Sequence, residues 1–83
     1  MSETTGLLLS LAAVEGALRR VLGTVEHRGF RVLACRVLTD AAGQEYRVHM
    51  QVEGARDPAL LVRQLQRLHD VRDVAVRADA AAA

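Results

Sequence analysis

Tyr46, Val48, Met50 and Val52 alternate without interruption with Glu45, Arg47, His49, Gln51 and Glu53. A period of two places successive side chains on opposite faces, so this stretch is a strand with one face in a core and the other facing water or a partner. A strand of this kind needs neighbours in an antiparallel sheet and something apolar packed on its buried face. The rest of the chain must supply both.

Two apolar stripes of helical period do so. Val14, Leu18, Val21, Leu22 and Val25 recur at three- and four-residue steps, which predicts a helix over 14–28. Glu15 in its first turn and His27 and Arg28 in its last suit the helix dipole, and Gly29 ends it. Asp57 followed by Pro58 is a cap before a proline at the first helical position. Leu61, Leu65 and Leu68 form the stripe of a second helix over 58–69, with Arg63, Gln64 and Arg67 outside it. The remaining apolar runs read as strands at 6–12, 30–39, 44–53 and 71–78, the last with Val74 and Val76 on one side. Asp40-Ala41-Ala42-Gly43 forms a turn between the middle two, and residues 79–83 form a frayed tail.

The order is β-α-β-β-α-β. This predicts an α+β, ferredoxin-like sandwich: one domain over 1–83, with a four-stranded antiparallel sheet and both helices on one face. In that arrangement the second strand is an edge. Leu33, Cys35 and Val37 are expected on one side of it, and Val32, Ala34, Arg36 and Leu38 on the other. An edge apolar on both sides is an aggregation hazard unless covered, and pairing two copies along it would cover it. A chain of 83 residues buries only about 60% of its unfolded surface, and small domains commonly gain stability by oligomerising. The second strand is therefore the expected homodimer edge, through Val32, Ala34, Arg36 and Leu38. Arg47 and His49 on the third strand's polar face are further interface candidates.

Composition and motifs exclude most chemistry. The net charge is +1, there is no lysine so that all the formal positive charge is arginine, and aromatics are 2%, which argues against a nucleic-acid partner and base stacking. Cys35 reads as a buried, inert thiol, too solitary for an internal disulfide. His27, His49 and His69 lie on separate elements without metal-ligand spacing. No carboxylate pair converges for acid–base work. The loop after the first strand reads Ala12-Ala13-Val14: it lacks both the cysteine pair of metal chaperones of this fold and the phosphate-holding arginine of acylphosphatases. The leucine-rich start follows Glu3 rather than a positive residue and is too short for a membrane span. A cytoplasmic location is expected, in keeping with the lone thiol.

The run Ala17-Leu18-Arg19-Arg20-Val21-Leu22-Gly23-Thr24-Val25-Glu26-His27-Arg28-Gly29-Phe30 resembles the ACT-domain small subunit of acetolactate synthase, most of all the short isozyme II type. The likeness continues through Gln64-Leu65, Leu68-His69-Asp70-Val71 and Val74-Ala75-Val76, covering roughly Glu15 to Val76. It implies a non-catalytic partner that binds and activates the large subunit in branched-chain amino-acid synthesis. Thiamine diphosphate, magnesium and FAD would sit on that large subunit and none on this chain. The resemblance also places an effector loop at Ala13, Val14, Glu15, Gly16 and Ala17, with Arg31 after the following turn. Amino-acid-binding relatives carry asparagine where Ala13 and Arg31 stand, so weak or absent valine feedback is expected. Two rivals are a stand-alone amino-acid sensor that changes its assembly on binding ligand, and a small hydrolase of acylphosphatase type.

Overall fold

The computed structural model describes residues 3–77. Its order is β1 (Glu3–Ala12), α1 (Ala17–His27), β2 (Arg31–Thr39), β3 (Glu45–Gly54), α2 (Pro58–Gln66) and β4 (Val71–Arg77). The four strands form one antiparallel sheet in the order β2-β3-β1-β4. This is the expected βαββαβ sandwich, with β2 and β4 at the edges.

The alternation in β3 has the consequence its period requires. Val48, Met50 and Val52 are buried and Tyr46 is half-buried, opposite Leu9, Leu7, Thr5 and Leu11 of β1. Leu7, Leu9 and Leu11 meet Val21 and Val25 of α1 and Leu61 and Leu65 of α2, and Phe30 and Val74 complete the core. Each such side chain contributes about 1.5–3 kcal/mol through burial.

Helix α1 starts at Ala17 rather than 14. Gly16 stands before it with φ 84°, a left-handed conformation that interrupts the helical run and that glycine adopts without steric cost. Val14 and Glu15 therefore belong to the loop; Val14 is 48% exposed, and no acidic residue lies in the first turn. His27 does occupy the last turn, and Gly29, with φ 92°, turns the chain into β2.

The α2 cap forms as expected: the Asp57 carboxylate accepts a hydrogen bond from the Ala59 amide at 3.0 Å, with Pro58 at the first position. The helix ends at Gln66, short of 69. Leu68 still packs on the core from a turn, and Asp70 leads into β4. Strand β1 begins earlier than expected, at Glu3. Residue 78 and the expected tail at 79–83 lie outside the described residues.

Strand β2 differs most from its sequence pattern. Val32 pairs with Val52, whereas Ala34 pairs with Gln51, so Leu33 is an extra residue in a β-bulge. A bulge shifts the alternation by one position. Val32 consequently shares the helix-side face with Cys35 and Val37, opposite Val52, Met50 and Val48. The face expected for Val32, alongside Ala34, Arg36 and Leu38, is corrected by that inserted residue.

Candidate functional site

The loop between β1 and α1 is closed by its own chain. The Ala12 amide donates to the Asp70 carbonyl at 2.8 Å, the Ala13 amide to Gln44 O at 3.0 Å, the Val14 amide to Ala12 O at 2.9 Å and the Ala17 amide to Val14 O at 3.1 Å. Ala13 adds only a methyl group. Arg20 follows Gly16 by one helical turn, so its side chain reaches back over the loop. Its Nε donates to Asp70 Oδ2 at 3.0 Å, its Nη2 donates to the same oxygen, and Nη2 also reaches Glu15 O at 3.4 Å. A Cβ on Gly16 would stand 2.7 Å from Arg20 Nη1. Asp70 is buried, and its carboxylate is matched by this one guanidinium. The loop thus presents no side-chain donor of its own, and the guanidinium across it is committed to Asp70.

Arg31 is not brought to this loop within one chain. It is exposed and pairs with Glu53, at the opposite end of β3 from the Ala12–Glu45 pair. Eight residues of strand separate the two ends, roughly 26 Å.

The sheet face without helices gathers the other candidates. Ala34 pairs with Gln51, Arg36 with His49 and Leu38 with Arg47. Leu8 of β1 lies between His49 and Ala75, and Arg77 Nη1 lies 3.4 Å from His49 Nδ1. Leu33 and Leu38 are 44% and 46% exposed. Among the described residues no strand lies beside β2 along this edge, so its outward amides and carbonyls form a template for another strand.

Cys35 is exposed, not buried. It lies on an edge strand flanked on one side only, by β3, so an inward-pointing residue there still meets solvent. Partial burial nonetheless pushes its thiol pKa up, which keeps it protonated and weakly nucleophilic at neutral pH.

His27 is exposed at the end of α1, and His69 is exposed in the turn after α2. Among the described residues, no three His, Cys, Asp or Glu side chains are placed to hold a metal. Among the same residues, no helix is long and apolar enough to cross a membrane.

Two features escaped the sequence reading. One is the Arg20–Asp70 clasp, whose only sequence trace is an arginine four residues after Gly16. The other is a cavity at the opposite end of the sandwich, between Arg28, Phe30, Arg56, Leu60, Leu61 and Gln64; the four-residue spacing of Leu60 and Gln64 on the flank of α2 carried no sign of it.

Comparison with known proteins supports the fold. No curated protein matches the sequence significantly. Among solved structures, the chain is similar to the ACT domain of a GTP pyrophosphokinase from Chlorobium tepidum: TM-score 0.77, 10% identity, 93% of this chain and 100% of that one covered. It is similar to an uncharacterized protein of Thermotoga maritima, with TM-score 0.70, 15% identity, and 93% and 96% coverage. It also resembles part of a formyltetrahydrofolate deformylase from Burkholderia mallei, with TM-score 0.70 and 18% identity; 90% of this chain is covered but only 28% of that chain. At these identities the likenesses establish the fold alone. The sequence profile described as "ACT domain" matches residues 13–74, most of the chain, and the protein therefore belongs to the ACT-domain family.

Proposed function

We propose that this ACT domain is the non-catalytic small subunit of an acetolactate synthase, binding and activating the large subunit with weak or no response to valine. The observation that carries the second half is the closed β1–α1 loop. The Ala12, Ala13, Val14 and Ala17 amides bond within the chain, and Arg20 is held across the loop by Asp70. An amino-acid carboxylate that paired with Arg20 would displace Asp70 and leave a buried carboxylate unpaired, which is costly. The same loop disfavours the stand-alone amino-acid sensor.

The identity of the partner rests on the likeness of Ala17–Phe30 and of Leu68–Val71 to isozyme II small subunits. Thiamine diphosphate, magnesium and FAD would then all be held by the large subunit. The contact surface would be the helix-free face bearing Ala34, Arg36, Leu38, Arg47 and His49, with two copies of the chain joined along β2. An antiparallel β2–β2 pairing centred on Cys35 would set Arg31 of one copy opposite Thr39 of the other, at the loop end of the sheet. Activation requires that the contacts favour one state of the large subunit over another.

Co-expression with the acetolactate synthase large subunit of the same organism tests this reading. A co-purifying complex is expected, and Arg47→Glu should weaken it. Purification of the large subunit free of this chain would overturn the proposal.

A further inference from the structure

We infer that the cavity between the end of α1, the β3–α2 turn and the flank of α2 is a binding site for a small organic anion with a short aliphatic body. It lies at the opposite end of the sandwich from the β1–α1 loop, and the inference is independent of the identity of any protein partner.

The cavity is about 140 Å³, close to the roughly 150 Å³ of an engineered apolar cavity that holds benzene. Its apolar part is Phe30, Leu61 and Leu60. Phe30 is fixed from behind: a Cβ on Gly54 would stand 2.6 Å from its ring, so the close approach of that strand seats the ring. Leu61 is buried, whereas Leu60 is 50% exposed, leaving apolar surface that an occupant would cover.

Its polar part is two guanidinium groups. Arg28 is oriented by a 2.9 Å hydrogen bond from Nη2 to Gln64 Oε1. Arg56 lies over the helix-ending turn, its Nε 3.3 Å from where a Cβ on Gly29 would be. Among the described residues neither has a carboxylate within ion-pairing distance. The neighbouring Asp57 is turned to the Ala59 amide as the cap of α2. Two uncompensated guanidiniums beside an apolar floor of this size match a carboxylate with a short aliphatic body.

The test is a titration of the full chain, followed by amide NMR shifts, with 3-methylbutanoate, its neutral amide 3-methylbutanamide, and inorganic phosphate. Saturable shifts at Arg28, Phe30, Arg56, Leu60 and Gln64 are expected with the carboxylate. The amide and phosphate should each bind about tenfold more weakly, one lacking the charge and the other the apolar body. Arg56→Ala and Leu60→Asp should each weaken the carboxylate about tenfold. Arg63→Ala, which removes the same charge from the exposed side of α2, should not. Both altered cavity residues are exposed, so thermal melting checks that the variants remain folded. No saturable shifts, shifts centred on Ala13–Gly16 instead, equal binding of amide or phosphate, or equal loss in Arg63→Ala would each overturn the assignment.

Discussion

Asp70 and Arg20, 50 residues apart in the chain, are joined through two guanidinium nitrogens on one carboxylate oxygen, and this pair fastens the turn before β4 to the first turns of α1. The Asp70 carbonyl also receives the Ala12 amide. One residue thus ties together the end of β1, the start of α1 and the start of β4, and it bridges the β1–α1 loop.

Arg20→Ala should destabilise the domain by about 1–3 kcal/mol. The carboxylate it leaves is buried, which raises the cost, while the arginine is half-exposed, which lowers it. Urea unfolding measures this, with a midpoint shift at unchanged slope. Hydrogen exchange at Ala13 and Val14 should stay within a few-fold of wild type, because their amides bond to Gln44 and Ala12 and not to Arg20. Wild-type stability in the variant would mean the pair does not fasten β4 to α1.

Leu38→Asp should dissolve the proposed homodimer without unfolding the chain. Leu38 is 46% exposed in the single copy, so its loss costs the monomer little, whereas a charge within an apolar β2–β2 edge is strongly unfavourable. Sedimentation should show a shift from twice the chain mass to one. A chain that is monomeric before substitution would remove the edge pairing from the account.

Cys35 reports on the same edge. Its thiol is exposed in one copy and its pKa is raised by partial burial. Alkylation by iodoacetamide should be slower than for an unstructured cysteine at pH 8. It should slow further as protein concentration rises and β2 is covered, and Leu38→Asp should abolish that concentration dependence. A rate independent of concentration in both proteins would contradict it.

The β2–β3 turn carries a pH-dependent contribution. The Asp40 carboxylate accepts the Gln44 amide at 2.8 Å and the Glu45 amide at 3.2 Å, and these bonds, the Gln44 bond first, hold its pKa below the ordinary carboxylate value. A folded-state pKa below the unfolded one stabilises the fold above the unfolded pKa, and the contribution is lost as pH falls through the folded value. Asp40→Asn should therefore lower the urea midpoint at pH 6, with the gap from wild type narrowing below about pH 4. A constant gap from pH 6 to pH 2 would rule the contribution out.

What the sequence made legible was whatever rests on local periodicity. The alternation in β3, the stripes through Val21–Val25 and Leu61–Leu65, and the Asp57-Pro58 cap were enough for the element order and the sandwich. Features that depend on a single backbone conformation were not legible. Gly16 at positive φ delayed α1 by one turn, and the extra residue Leu33 moved Val32 to the other face of β2. Nothing in a strand's composition distinguishes a bulge from regular alternation when both faces are apolar. Cys35 was misplaced for a related reason: apolar neighbours along a strand do not guarantee cover at a sheet edge. The Arg20–Asp70 clasp and the arginine-framed cavity join distant segments, and such pairings follow from topology rather than from spacing.

The most direct test is the activity of the acetolactate synthase large subunit titrated with this chain, with and without valine. The account predicts a saturable rise in activity that valine leaves unchanged at concentrations inhibiting feedback-sensitive enzymes. An absence of activation, or an activation that valine reverses, would contradict regulation by protein contact through an ACT domain whose β1–α1 loop is closed.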